Sequence, residues 1–218
     1  MANQKINREQ IIIQALETLQ KSKSFTQFSL RKVATDLNVD ASTLYWHFKN
    51  KQEILQAMAA YVVGRVKIPD TNLKWDDQLK QLFSNMFDVY ERYPFSAILM
   101  IETIPSDLVR LKLIDHTIGI MVDAGIDEQT ANVAATSFDF LLTGLNIDLT
   151  VENRFRQQIV QNKNAEMADH VKIIHQNIKN YDLKHMQSSV KIRNQFSAKE
   201  QFEMGLDLII DGLKKRLN

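Results

Sequence analysis

Nine consecutive residues, TLYWHFKNK at 43–51, carry side chains suited to contact with a polyanion. Hydroxyl, aromatic, imidazole and ammonium groups follow one another here, whereas a core helix would alternate apolar and charged residues. Hydroxyl and ammonium groups bind phosphate oxygens, and larger side chains reach base edges in the major groove of DNA. The run therefore predicts a DNA-contacting surface.

The sequence before this run supplies the elements that would position it. Residues 30–42, LRKVATDLNVDAS, indicate a short helix, a tight turn and the start of a second helix. Ser29 can cap the first helix, and Asn38 tolerates the left-handed backbone with which helices end. Leu44 and Phe48, four residues apart, would anchor the second helix inward. The pattern predicts a helix-turn-helix. A pair of ordinary core helices is the alternative, but such a pair rarely exposes Tyr, Trp and His in succession.

Residues 31–55, RKVATDLNVDASTLYWHFKNKQEIL, resemble the TetR family of transcriptional repressors, and its tetracycline-repressor group more closely than most members. A weaker resemblance lies in FEMGLDLIIDGLKKRL at 202–217, which is similar to the closing helix of that group's regulatory domain. The resemblance implies an all-helical homodimer, with paired DNA-binding heads and a larger body that binds an inducer. The candidate DNA-binding residues are Ser29, Arg31, Ala41, Ser42, Thr43, Tyr45, Trp46, His47, Lys49 and Lys51. Ala41 and Ser42 stand where the group has bulkier polar residues, so no operator sequence is implied.

Composition favours a helical protein with a real core. The chain has 218 residues, of which 44% are hydrophobic, with 6 Gly, 3 Pro and no Cys. Few helix breakers predict an all-α fold, and the lack of Cys excludes disulfides and thiolate metal sites. No run approaches the roughly 18 apolar residues of a membrane span, and the N-terminus lacks a secretory apolar core. We expect a cytoplasmic protein that contacts no membrane.

Charge is distributed unevenly along the chain. Residues 1–66 hold nine Lys or Arg against five Asp or Glu, a net of +4, and the remainder holds 18 against 21, a net of −3. Together these give the overall net charge of +1. A basic head on a mildly acidic body suits phosphate contact at one end of the molecule.

Helical periodicity divides the chain into three parts. We interpret 1–50 as a helix-turn-helix DNA-binding domain, 51–66 as a connecting helix, and 67–218 as a regulatory, ligand-binding and dimerisation domain. Asn7 can cap the first helix, and Asn50 with Glu53 indicates a capping box for the connecting helix. The polar stretch 148–196 predicts a long excursion with a single helix near 165–181. The remaining helices are predicted at 7–22, 75–92, 95–103, 105–123, 128–147 and 197–217.

The last helix indicates a subunit contact. Gly205 and Gly212 are seven residues apart on one helical face, and glycine costs roughly 1 kcal/mol inside a helix, which favours the close approach of another helix there. Two helices from each of two chains would form a four-helix bundle. Packing within one subunit is the alternative. The candidate dimer residues are Ala135, Leu142, Gly205, Ile209, Gly212 and Leu213.

The body offers candidates for a ligand pocket, although ordinary core packing explains each of them as well. Tetracycline repressors hold a drug–magnesium chelate with body histidines, and the corresponding stretches at 60–70 and 95–105 contain no histidine. We therefore predict that tetracycline is not the inducer, that the ligand is more apolar, and that there is no metal site or cofactor. The candidate pocket residues are Trp75, Phe83, Phe87, Met100, Thr103, Phe138 and Leu142.

Together these features predict a DNA-binding transcriptional regulator, a repressor released from a near-palindromic operator by a small molecule. The sequence has no Ser-His-Asp elbow, glycine-rich phosphate loop or HExxH pattern, so an enzyme is not expected. A regulator controlled by a protein partner, one without an inducer, or an activator remain as alternatives. Thermal stabilisation by a small molecule would separate the first two from the ligand-controlled repressor.

Overall fold

The computed structural model describes residues 6–22, 24–161 and 164–217. Within these ranges the protein is all-helical, as predicted, with eleven α-helices and no strand. The N-terminal head contains α1 Arg8–Lys21, α2 Leu30–Asp36 and α3 Ala41–His47, followed by the connecting helix α4 Lys51–Val63. The body contains α5 Trp75–Arg92, α6 Ser96–Ile101, α7 Leu108–Asp123, α8 Glu128–Val160, α9 Ala165–Asn180, α10 Lys184–Arg193 and α11 Ala198–Leu217.

The helix ends in the head follow from their capping residues. The Asn7 side chain accepts from the Gln10 backbone N–H, and the Gln10 side chain accepts from the Asn7 backbone N–H, each at 2.9 Å, so that two unpaired donors are satisfied. Ser29 caps α2 by accepting from the Lys32 backbone N–H. Asn38 has φ 54°, the left-handed conformation that the turn between α2 and α3 requires.

Aromatic and aliphatic side chains fill a small core inside the head. Phe28, Leu44 and Phe48 are all buried, and α2 contacts both α1 and α3. Leu44 lies in the middle of α3 and Phe48 directly after its end, four residues apart, so one side of that helix is held inward. The opposite side is thereby turned outward.

The body core is built around α5, α8 and α11. The Phe83 and Phe138 rings, from α5 and α8, lie 4.8 Å apart between centroids. The Phe87 and Phe202 rings, from α5 and α11, stack at 5.1 Å. Aromatic pairs at these distances add to the stability gained from burial. The three helices thus form one packed unit, against which α6 and α7 lie.

The polar stretch 148–196 is more helical than its composition predicted. Helix α8 continues to Val160 instead of ending near 147, and α9 and α10 follow it, so the expectation of a single helix was wrong. The segment after 147 contains helix-forming residues and no Gly or Pro, and Arg156 pairs with Glu152 at 2.8 Å one turn away. Arg193 at the end of α10 returns to Asp148 at 3.0 Å.

Candidate DNA interface and ligand cavity

Helix α3 presents two large aromatic side chains to solvent. Leu44 has no exposed surface, whereas Tyr45 is 55% and Trp46 is 88% exposed. An indole that contacts so little of its own subunit contributes almost nothing to the fold, because stability comes from burial. Its position on the outer face of a helix-turn-helix is suited to contact with a groove of DNA.

The other predicted DNA-binding residues lie on the same end of the molecule. They occupy the start of α2, the length of α3 and the turn into α4, so the fold brings them together on one surface. The exposed members are Ser29, Arg31, Ser42, Tyr45, Trp46, Lys49 and Lys51, and the half-buried members are Ala41, Thr43 and His47. We call this set the α3 surface.

One cation of the α3 surface also holds the head together. The Lys51 ammonium donates to the Phe28 carbonyl oxygen at 3.1 Å and lies 5.5 Å from the centre of the Phe28 ring. An ammonium has three N–H donors, so this bond leaves others for a phosphate oxygen. Lys51 thus fixes the loop before α2 while its charge stays at the surface.

Sequence reasoning missed Arg8, which clamps the end of α3. Its guanidinium donates to the His47 carbonyl oxygen at 2.8 Å, pairs with Glu53 at 3.1 Å and lies 4.1 Å from the centre of the Phe48 ring. The available signal was a cation in the first turn of α1, where the helix dipole disfavours it. Such a placement calls for a compensating partner, which Glu53 provides.

Glu53 connects the turn after α3 with the connecting helix. Its carboxylate accepts from the Lys49 backbone N–H at 2.8 Å. That hydrogen bond and the one from Arg8 lower the pKa of Glu53 below its ordinary value. The predicted capping box is half formed: Asn50 accepts from the Glu53 backbone N–H, but the Glu53 side chain binds Lys49 instead of Asn50.

A cavity of about 360 Å³ lies in the body between α4, α5, α6, α7 and α8. This volume is within the usual range of small-molecule sites. Its apolar lining includes Val63, Phe83, Met86, Met100, Leu113 and Ile118. Its polar lining consists of Tyr90, Arg110, Thr117, Asn132, Thr136 and Asp139.

Two predicted pocket residues, Phe83 and Met100, line this cavity, and the other five do not. Thr103 lies beside it, where its hydroxyl accepts from Arg110. Trp75 is half-buried at the start of α5, and Phe87, Phe138 and Leu142 are fully buried in the core. The periodicity found the apolar faces of the helices correctly, but which of those faces enclose a space depends on tertiary packing.

The main polar group that sequence reasoning missed is Arg110, a cavity-lining cation that is only 4% exposed. It donates to Asp107, to the Thr103 hydroxyl at 2.8 Å, and to the Ile104 carbonyl oxygen. It also donates to the side-chain oxygen of Gln56 in α4. Every bond satisfies a buried donor, so the guanidinium is paired as buried charges must be.

Asp107 neutralises the charge of Arg110. Burial by itself would raise the pKa of Asp107, but hydrogen bonds from the backbone and guanidinium of Arg110 outweigh it and lower that pKa. Asp107 also caps α7, because its side chain accepts from the Arg110 backbone N–H at 2.9 Å. The Asp107 carboxylate is therefore ionised at neutral pH.

The candidate dimer residues occupy different positions. Leu142 and Leu213 are buried within their own subunit, which leaves little of either side chain for a partner to contact. Ala135 is half-buried and lines the cavity, and Ile209 is half-buried. A Cβ added at Gly205 would lie 3.0 Å from Leu141, which is packing within the subunit, whereas one added at Gly212 would meet nothing within 4 Å.

Other apolar residues are exposed on the same two helices. On α8 they are Val133 (63% exposed) and Phe140 (69%), and on α11 they are Met204 (52%) and Leu208 (78%). The two helices pack against each other. We call these four residues, together with Gly212 of α11, the α8–α11 surface.

Across 6–22, 24–161 and 164–217, no group of three or more His, Cys, Asp or Glu side chains could hold a metal ion. No helix in those ranges is both long enough and apolar enough to span a bilayer.

Two family profiles match the chain over most of its length. The profile for bacterial regulatory proteins of the tetR family matches residues 12–58, and that for the tetracyclin repressor-like C-terminal domain matches residues 68–217. The tetracycline repressor protein class C of Escherichia coli is 26% identical over 97% of this chain and 92% of its own length. The matches to the class D and class H repressors are 30% identical, but they span only about half of those proteins.

Solved structures share the fold. The TetR family protein ActR of Streptomyces coelicolor, in complex with actinorhodin, has a TM-score of 0.76 at 18% identity, covering 98% of this chain and 96% of that one. BioQ with its double-stranded DNA operator has a TM-score of 0.66 at 20% identity, covering 95% and 98%. The tetR match covers the helix-turn-helix that carries the α3 surface, and the C-terminal match covers α5–α11, including most of the cavity lining. The chain belongs to the TetR family, whose members are regulatory proteins and not enzymes.

Proposed function

We propose that this protein is a ligand-controlled transcriptional repressor that binds a near-palindromic operator as a homodimer and leaves it when a small molecule fills the body cavity. The observation that carries the proposal is the exposure of Tyr45 and Trp46 on α3, opposite the buried Leu44. Side chains so placed are available to a DNA groove, and Trp46, with most of its surface in solvent, contributes little to the fold. The operator complex of BioQ, a protein with the same fold, is consistent with this use.

Within the α3 surface we assign two kinds of contact. Arg31, Lys49 and Lys51 supply positive charge at its rim, suited to phosphate oxygens. Ser42 and Thr43, at the start of α3, and the aromatic groups Tyr45 and Trp46 are suited to the groove. The rim would then set affinity and its dependence on salt, while the centre sets sequence preference.

Dimerisation is supported by the α8–α11 surface. Exposed Val133, Phe140, Met204 and Leu208 form an apolar surface on two adjacent helices, which a second copy could cover as a four-helix bundle. Gly212 lies in the same region with open space around it, where a partner helix could approach closely. A two-fold dimer would present two α3 surfaces to half-sites about 34–36 Å apart, one turn of B-DNA.

Ligand control is supported by the position of the cavity. It touches α4 through Val63, and Arg110 in its wall bonds to Gln56 of the same helix. Because α4 also contacts α1, a change in the cavity is transmitted to the head. A coupling of about 3 kcal/mol would change operator affinity over a hundredfold. ActR was crystallised with actinorhodin bound, so this fold accommodates a small molecule.

The first experiment is an electrophoretic mobility-shift assay with DNA from the protein's own promoter region, at low salt and then at increasing salt. We expect a specific complex whose affinity falls steeply with salt because phosphate contacts release counterions. If the protein does not shift the mobility of this DNA at low salt, the DNA-binding proposal is refuted. Transcription from the same promoter, with and without the protein, then distinguishes a repressor from an activator.

A further inference from the structure

The charge balance of the cavity lining indicates the chemical class of its ligand. Within the part of the chain that the structure describes, Arg110 and Asp139 are the two lining residues with formal charge. The two residues differ in whether protein groups already neutralise their charge, and this difference decides which ligand charge the cavity favours.

Arg110 is already neutralised. Asp107 balances its charge, and Gln56, Thr103 and the Ile104 carbonyl oxygen take further N–H groups. An anionic ligand would have to displace these partners to gain a full contact, leaving Asp107 without its counter-ion. The cavity is therefore poorly suited to a carboxylate or phosphate at this end.

Asp139 is not neutralised. No hydrogen bond or ion pair to its carboxylate occurs among the described residues, although it lines the cavity from α8. The Asp139 side chain is exposed to solvent, so it lies at the open edge of the cavity. Although the side chain is exposed, neighbouring protein groups displace part of the water around the carboxylate, and this desolvation raises the pKa of Asp139.

Tyr90 lies deeper in the same wall and also lacks a partner. It is only 4% exposed, and none of the hydrogen bonds in the described part of the protein involves its hydroxyl. Burial, followed by the nearby charge of Asp139, raises the pKa of Tyr90, so the hydroxyl stays protonated. The Tyr90 hydroxyl is not one of the fully buried polar atoms that lack a partner, so it reaches open space and is available to a ligand in the cavity.

Aromatic faces complete the site. The rings of Phe83 and Tyr90 both line the cavity, beside the aliphatic groups of α7. A positive charge near an aromatic face is attracted by the ring quadrupole, and the attraction strengthens away from water. The unpaired carboxylate of Asp139 and the two aromatic rings therefore all favour a positively charged ligand.

We propose that the cavity binds an organic cation: a molecule with an apolar or aromatic body and an amine or quaternary ammonium group placed at Asp139. The proposal rests on the ligand-controlled function proposed above and narrows its ligand to one class. The body of the molecule fills the apolar lining, and a hydrogen-bonding group on it meets the Tyr90 hydroxyl.

The test uses three compounds on one naphthylalkyl skeleton, ending in a trimethylammonium group, a neutral amide or a carboxylate. Binding to the full-length protein is measured by titration calorimetry and by thermal stabilisation. We expect the ammonium compound to bind about tenfold or more tightly than the amide, and the carboxylate to bind weakest. Asp139→Asn should remove this preference and leave amide binding unchanged. Asp115→Asn, which changes an exposed carboxylate on α7 that is not part of the lining, is the matched control and should bind like the wild type.

Equal binding of all three compounds, stronger binding of the carboxylate, or no binding by any of them would overturn the proposal. An unchanged preference in Asp139→Asn would do the same. DNA binding without ligand is measured on the same preparations by electrophoretic mobility shift, so that failure of the DNA-binding proposal can be distinguished from failure of the cation-site proposal. If the protein does not slow DNA in the gel, the proposed repressor function is contradicted. If it slows DNA but shows no preference for the ammonium compound, the proposed cation site is contradicted.

Discussion

Arg110 in the cavity wall donates a hydrogen bond to Gln56 in the connecting helix, which links the cavity to the helix that carries the head. A second bond between the same regions runs from the Gln52 side chain to the Glu102 carbonyl oxygen at 2.8 Å. Helix α4 therefore contacts the body through specific polar pairs as well as through apolar packing. Such pairs have defined made and broken states, as a switch between two head positions requires.

Replacing Gln56 tests this link. Gln56→Met keeps the size of the side chain but leaves one Arg110 donor unsatisfied, which should lower the free energy of unfolding by about 1–3 kcal/mol. We also expect the variant to bind operator in the absence of ligand and to release less completely when ligand is added. Denaturant unfolding measures the free energy of unfolding, and a mobility-shift assay with operator DNA measures binding and ligand-induced release. Gln129→Met, at an exposed position of α8, should change neither.

Substitutions of Trp46 and Leu44, which lie on the same helix, should affect different properties: operator binding for Trp46 and stability for Leu44. Trp46→Ala should leave the melting temperature unchanged because the side chain is 88% exposed, yet weaken operator binding by about 1–3 kcal/mol. Leu44→Ala removes a fully buried side chain and should destabilise the head by about 2–5 kcal/mol. Circular dichroism melting and operator retardation, made on both variants, check the pair. A large loss of stability in Trp46→Ala would contradict the exposed position of this residue.

Acidification should loosen the junction between α3 and α4. The pKa of Glu53 is lowered in the folded state, so its contribution to stability is present above the ordinary carboxyl pKa and is lost as the pH falls through the lowered value. Glu53→Gln should therefore melt at a lower temperature than the wild type at neutral pH, and the difference should shrink in acid. Melting curves at a series of pH values measure it. A difference that grows on acidification would have the wrong sign.

The dimer proposal predicts the effect of a charge on the α8–α11 surface. Leu208 is 78% exposed in the single chain, so Leu208→Glu should leave the subunit folded. If a second copy covers this surface, the buried carboxylate would disfavour association, and operator affinity would fall with it. Sedimentation velocity should show a shift toward monomer. Ile68→Glu, at another exposed apolar position outside these helices, is the control and should sediment like the wild type.

Local sequence signals predicted the head well. Asn7, Ser29 and Asn38 occupy the capping and turn positions expected of them, because capping depends on side-chain chemistry within a few residues. Asp40 stands at the N-cap position before α3, but its side chain makes no capping hydrogen bond. The outward direction of Tyr45 and Trp46 followed from the inward direction of Leu44 and Phe48.

The cavity could not be predicted in the same way. Arg110 appears in the sequence as an ordinary solvated cation, and its burial depends on Gln56, which lies 54 residues earlier in the chain. Asp139 gives no signal either, because the absence of a partner is visible only once the surroundings are known. The extent of α8 was missed for another reason: a polar helix at the surface lacks the apolar period by which helices are recognised.

The exposure of the α3 indole has a practical consequence. The protein has two tryptophans, and the other, Trp75, is half-buried at the start of α5 in the body. Docking onto a duplex would move the Trp46 ring out of water and leave Trp75 in place. Intrinsic fluorescence of the unlabelled protein, with a Trp75→Phe variant to isolate the signal, can therefore report operator occupancy in real time.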